Sequence, residues 1–131
     1  MITLDTSALV ALLLESDPHH EAMVARLQDE RPPFLVPEPV LAELDYLLGR
    51  RVGPHAIVPF LADAVAGYWK LMPIAPYLQR AAELVVRYAD LPLGVTDAGV
   101  AALAEAHGGR VLTKDRHFYA LSKEGTIEVV G

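Results

Sequence analysis

The sequence predicts an α/β fold, a three-layer sandwich in which a short four- or five-stranded parallel sheet lies between helices. Three observations carry that expectation. Short apolar runs alternate along the chain with longer helical patterns, and such alternation produces parallel βαβ units. The 131 residues, 53% of them hydrophobic, supply one core and are too few for two ordinary domains, so 1–131 reads as a single domain. No internal repeat, low-complexity segment or linker interrupts the pattern.

The elements follow in order. Residues 1 to 4 read as a short buried strand, and Ala8 to Leu14 as an apolar helical run. Asp17 reads as an N-cap with Pro18 at the first helical position, opening a helix through Met23, Val24 and Leu27 to about Glu30. In "PPFLVPEP" the prolines fence a very short strand, Phe34 to Val36, and a helix runs from near Glu38 to Leu48. Another helix follows Gly53-Pro54, a strand-like "KLMPI" starts at Lys70, and a helix spans Pro76 to Ala89. After "DLPLGV" a helix starts near Thr96 or Asp97 and stops at Gly108-Gly109. "RVLT" is the next strand, "HFYAL" a helical turn, and "TIEVV" the last strand, with Thr126 and Glu128 facing outward.

Composition narrows the chemistry. The absence of cysteine excludes disulfides, thiolate catalysis and Cys-based zinc sites, and is compatible with a cytoplasmic location. No two of His19, His20, His55, His107 and His117 have the spacing that puts two ligands on one helix face. No uncharged apolar run approaches the roughly 18 residues of a membrane helix, and no basic residue precedes Arg26, as a secretory signal would require. The net charge of −6 opposes generic nucleic-acid binding, although acids gathered around cations would no longer repel an anionic substrate.

Several acids stand where a sheet would bring them together. Asp5 follows the first strand and Asp115 follows "RVLT", so in a parallel sheet both carboxylates emerge at one edge, where ligands of such sheets gather. Asp5 also suits the N-cap of the next helix, and Asp115 a solvated turn. Asp97 is in phase with Val100, Ala101 and Ala104 on an inward apolar face, although Thr96 or Asp97 could serve as a cap there. Periodicity cannot choose between Glu43 and Asp45, which lie at opposite margins of one apolar stripe. Converging carboxylates repel unless cations offset them, and hard oxygen donors suit Mg²⁺ or Mn²⁺. Such ions activate water for attack on a phosphodiester. The turn "LDTSAL" lacks the glycines of a nucleotide-binding loop, and Ser7 stands where a haloacid-dehalogenase-type phosphotransferase has its second Asp.

Asp5 in "LDTSAL", Glu43 in "VLAEL", Asp97 in "LPLGVTDAGVAALAEAHG" and Asp115 in "LTKDRHF" form an ordered set that resembles the PIN-domain family, most closely the VapC-type toxin ribonucleases of VapBC toxin–antitoxin pairs. The resemblance spans nearly the whole chain. It implies a Mg²⁺- or Mn²⁺-dependent endoribonuclease, cytoplasmic and restrained by a VapB-like antitoxin. It further implies that Asp5, Asp97 and Asp115 bind metal and that Glu43 rather than Asp45 binds metal or positions the attacking water. Thr6 and Thr113 match hydroxyls expected to hydrogen-bond the carboxylates, Thr6 as the orienting partner of Asp5. His117 departs from the family, which often has a further acid there, and Ser7 stays open between ligand support and helix start. Two other readings remain, a catalytically silent PIN-like scaffold that binds protein or RNA and a metal-dependent phosphatase.

Arg50, Arg51, Lys114 and Arg116 are candidates to steer RNA toward the metals, and Asp45, Asp63 and Asp90 read as surface acids. Tyr68 and Trp69 beside Lys70 read as a dimer or antitoxin contact rather than a base-stacking site. The apolar runs Ala8 to Leu14 and Ile57 to Ala66 exceed what one small sheet needs, which points to a homodimer or an antitoxin groove.

Overall fold

Strands buried on both faces read as nearly continuous apolar runs, the condition of a parallel sheet. β1 (Ile2–Leu4) and β2 (Phe34–Pro37) meet it fully, every residue being buried. β3 (Trp69–Met72), β4 (Arg110–Leu112) and β5 (Glu128–Val130) complete five strands in the order β3-β2-β1-β4-β5, and all four pairings are parallel. The structure is a computed structural model that describes Met1–Gly131. Seven helices flank the sheet: α1 (Thr6–Leu13), α2 (His20–Gln28), α3 (Glu38–Arg51), α4 (Val58–Val65), α5 (Leu78–Arg87), α6 (Val95–Ala106) and α7 (Arg116–Leu121). Single 3₁₀ turns occupy Ala75–Tyr77 and Ser122–Glu124. No helix is long and apolar enough to cross a membrane.

The helices form for identifiable reasons. In α3, Val40, Leu44 and Leu48 recur every four residues and are buried to within 2% exposure, each contributing roughly 2 kcal/mol of transfer free energy. Pro37 caps its start and Arg50 and Arg51 stand in its last turn, where they complement the helix dipole. Helix α6 is buried from Ala98 through Ala104 and packs on β1, β2, β4 and α5. Its small residues allow that approach, and a Cβ on Gly99 would come within 2.8 Å of Ile74 Cδ1. The helix ends at Gly108 and Gly109, which adopt φ of 94° and 77°, and Gly109 N–H returns to the Ala104 carbonyl.

The expected fold class and the order of strands and helices hold, with differences at element starts. Helix α1 begins at Thr6 and not Ala8, because Asp5 caps it by accepting from Ala8 N–H at 2.9 Å. Asp17 does not cap α2. Its carboxylate accepts from His19 N–H at 2.8 Å within the preceding turn, Pro18 lies outside the helix, and the regular helix starts at His20. Gly94, not Thr96, is the N-cap of α6. The segment opening at Pro76 begins as a 3₁₀ turn before α5. Trp69 belongs to β3 and packs mainly in the core, 4% exposed and stacked on Phe60 at 5.6 Å between ring centroids, and together with Tyr68 it also lines an apolar groove, so the contact expected of the pair rests chiefly on Tyr68. Its neighbour Tyr68 is half exposed.

Candidate metal centre

The three central strands deliver acids to one edge of the sheet. Asp5 directly follows β1, Asp115 stands three residues beyond β4, and β2 leads into α3, which carries Glu43. Asp97 enters from the first turn of α6, the helix lying across those strands. Ligand atoms of Asp97, Asp115 and His117 all lie within 4.8 Å of one another. His117 Nδ1 is 3.8 Å from both Asp97 Oδ2 and Asp115 Oδ1, and it is buried with no hydrogen-bond partner.

Local chain geometry fixes these side chains. Asp115 caps α7, accepting from His117 N–H at 2.9 Å, while its own N–H donates to Thr113 Oγ1 at 2.9 Å. Asp5 is 3% exposed and receives three kinds of donor: Ala8 N–H, the Ser7 hydroxyl at 2.8 Å from Oδ1, and the Thr113 hydroxyl. Ser7 Oγ in turn accepts from Lys114 N–H at 3.1 Å, so the hydroxyls tie the β1 and β4 ends together. Glu43 is exposed and accepts from Thr6 Oγ1 at 2.6 Å.

Electrostatics at the edge are dominated by crowded negative charge. Burial pushes the Asp5 carboxyl up to about 7, against the hydrogen bonds from Thr113, Ala8 and Ser7 that pull it down. Burial, and then the charges of Asp115 and Glu43, push Asp97 up to about 6, with His117 opposing. This donor set fits a hard divalent cation. Asp97 and Asp115 offer oxygens, the unpartnered His117 Nδ1 offers a nitrogen, and Asp5 and Glu43 stand close enough for Asp97 to interact with both charges.

Of the four acids singled out in the sequence, Asp97 and Asp115 converge with His117, whereas Asp5 and Glu43 stand outside that cluster at the same sheet edge and influence Asp97 through their charge. Asp5 and Asp115 are helix caps as well. Thr113 bonds Asp5 as expected, but Thr6 does not: it bonds Glu43, and Ser7 is the hydroxyl that orients Asp5. The alternation of the first helical turn explains the exchange, since Thr6 and Ser7 leave α1 in different directions. Among the basic candidates, Arg116 is exposed and Lys114 is held by Asp17, whose side chain is 1% exposed, at 2.9 Å. Sequence reasoning missed this Asp17–Lys114 pair because Asp17 beside Pro18 has the signature of a helix cap. It treated His117 only as a departure, although its position two residues after Asp115 was the available signal.

Comparisons with known proteins bear on the family and the fold. The sequence profile described as PIN domain matches residues 2–124. The chain is 37% identical over 125 residues to Ribonuclease VapC26 of Mycobacterium tuberculosis, spanning 93% of each chain. Among solved structures it is similar to VapC20 of M. tuberculosis, described as a sarcin-ricin loop cleaving toxin, with TM-score 0.83 and 25% identity over 92% of this chain and 95% of that one. The fold is also shared with a toxin–antitoxin complex from Klebsiella pneumoniae, at TM-score 0.73 and 18% identity over 100% of this chain and 97% of that one.

Proposed function

Because the chain belongs to the PIN-domain family, within its VapC-type group, we propose that it is a Mg²⁺- or Mn²⁺-dependent endoribonuclease, the toxin of a type II toxin–antitoxin pair acting in the cytoplasm. The observation that carries this reading is the convergence of Asp97, Asp115 and His117 within 4.8 Å, with Asp5 and Glu43 beside them. Residues 1–131 act as one PIN-like domain, a reading supported by the single sheet and its continuous core.

Asp5, Asp97 and Asp115 would hold the cation, and Glu43 stands beside them. A bound Mg²⁺ or Mn²⁺ supplies charge that polarises a phosphoryl oxygen and lowers the pKa of a water. Glu43 accepts the proton of the attacking water, since its carboxylate is exposed, anchored by Thr6 and free of competing cations. Ser7, Thr113 and Ala8 N–H keep the Asp5 carboxylate in one orientation, so the ligand geometry does not have to be organised at the moment of reaction. His117 stands where the family often has a further acid and would offer nitrogen in place of oxygen, which Mn²⁺ accepts more readily than Mg²⁺ does. Arg116, exposed beside Asp115, attracts the RNA backbone.

The antitoxin is proposed to restrain this site by bringing basic residues to the acids and an apolar segment to a groove. That groove, about 500 Å³, is lined by Leu12, Leu13, Val24, Leu27, Phe34 and Tyr68. A second copy of the chain covers the exposed Val58, Leu61 and Val65 of α4, which lie on one helix face at spacings of three and four. The test of the activity is a cleavage assay on a random-sequence RNA pool and on a phosphomonoester, each with Mn²⁺ or with chelator. Metal-dependent RNA cleavage alone is expected. Cleavage only of the monoester makes the protein a phosphatase, and no cleavage of either by a protein that binds Mn²⁺ contradicts the nuclease reading.

A further inference from the structure

A pocket of about 220 Å³, joined to the acids through Lys114, which precedes Asp115, opens between α2 and α7. Its walls carry His19, Arg26, Lys114 and Tyr119, Met23 and Gly131 also line it, and no Asp or Glu side chain is part of it. On a chain with net charge −6 that lining is unusual. Arg26 is exposed and makes no ion pair, and Tyr119 lines the pocket with 48% of its surface exposed. Lys114 is fixed by the buried Asp17 at 2.9 Å, a carboxylate that Arg51 also approaches at 3.7 Å from outside the pocket.

We propose that this pocket is a nucleotide subsite for the RNA strand, with Arg26 and Lys114 receiving a backbone phosphate and the Tyr119 ring stacking on a base. The inference rests on the ribonuclease reading above and assigns where the strand lies relative to the cleavage point. Lys114 immediately precedes Asp115, so a phosphate at Lys114 belongs to a nucleotide near the one being cut. Charge complementarity selects a polyanion, and the half-exposed aromatic ring beside two cations is the combination that binds single-stranded nucleic acid without strong sequence preference. The adjoining depression shares Arg26 and Tyr119 and carries Asp29 together with Glu30 and Glu128, both of which are paired with Arg110. Asp17 is a positioning residue for the subsite, acting through Lys114.

The test measures Mn²⁺-dependent cleavage of a single-stranded oligoribonucleotide, drawn from a random-sequence pool and cut by the parent, as RNA concentration is varied. Arg26→Glu and Tyr119→Ala should each raise the half-saturating RNA concentration about tenfold with little change in maximal rate, and Tyr119→Phe should restore the parent value. Both positions are exposed, and a Mn²⁺ titration matching the parent's certifies an intact metal centre. Replacing one base by an abasic residue should weaken the parent at a single position near the cut and leave Tyr119→Ala indifferent there. Parent-like half-saturation in both variants overturns the subsite while leaving the nuclease standing. Failure of the parent to cut any RNA overturns the nuclease reading and the subsite with it.

Discussion

Asp5 combines three roles that would ordinarily be weighed against one another: strand terminus, helix cap and buried acid. Its carboxyl is pushed up to about 7 from the ordinary 3.8, so without metal the folded protein holds on to a proton that the unfolded chain has released. The free energy of that mismatch destabilises the fold as pH rises from about 4 to about 7, by on the order of a few kcal/mol. Thermal unfolding in chelator should therefore fall more steeply with pH for the parent than for Asp5→Asn, whose side chain can still accept from Ala8 N–H. Equal slopes would remove the burial argument. Added Mn²⁺ should raise the melting temperature more at pH 8 than at pH 5, because the cation needs the ionised acids. The two neighbouring hydroxyls make a separate prediction. Ser7→Ala frees Asp5 and should lower cleavage about tenfold or more, whereas Thr6→Ala acts through Glu43 and should leave Mn²⁺ affinity unchanged while slowing the maximal rate. The sequence made Asp5, Asp97 and Asp115 legible because each sits beside a strand end or on an apolar helix face, whereas Glu43 was separable from Asp45 only by the family resemblance. It could not assign Thr6 and Ser7, because two adjacent hydroxyls differ only in the direction in which the first helical turn sends them.

The connections between elements hold the acids in register. Asp17 in the α1–α2 turn ties Lys114 of the β4–α7 turn, and Asp17→Ala should cost about 2 kcal/mol in stability by denaturant unfolding, since His19 N–H and Lys114 both lose their acceptor. Gly109, between α6 and β4, adopts a φ of 77° where a Cβ would meet the Thr126 carbonyl oxygen at 2.7 Å. Gly109→Ala should destabilise by roughly 1–3 kcal/mol, and an unchanged unfolding midpoint would contradict that turn geometry. The Gly108-Gly109 stop was readable in the sequence because glycine at a helix end has a single backbone meaning. The start of α2 was not, since an Asp before Pro satisfies the rule for a cap whether its carboxylate caps the helix or turns inward to a lysine 97 positions away.

For the molecule as a whole, alternation of short apolar strands with helices was enough to anticipate a parallel sheet, and the strand ends then dictated where charge would gather. What alternation could not show was the packing of Trp69. An aromatic beside a lysine looks like a surface contact, and only the third dimension brings Phe60 of α4 onto its ring. The same helix leaves Val58, Leu61 and Val65 in solvent. If they form the proposed homodimer surface, Val65→Asp should convert a dimer to a monomer in sedimentation velocity without altering Mn²⁺ affinity, and a parent that is monomeric at all concentrations would contradict that surface. The central claim, that Asp5, Asp97 and Asp115 from separate elements act together as a cation site with Glu43 beside them, is tested most directly by calorimetric titration of the metal-free protein with Mn²⁺ at pH 8. Saturable binding by the parent, lost in a folded Asp97→Asn variant, is the expected result. Binding of Mn²⁺ by Asp97→Asn with the parent's affinity, or no binding by the parent, would contradict the account.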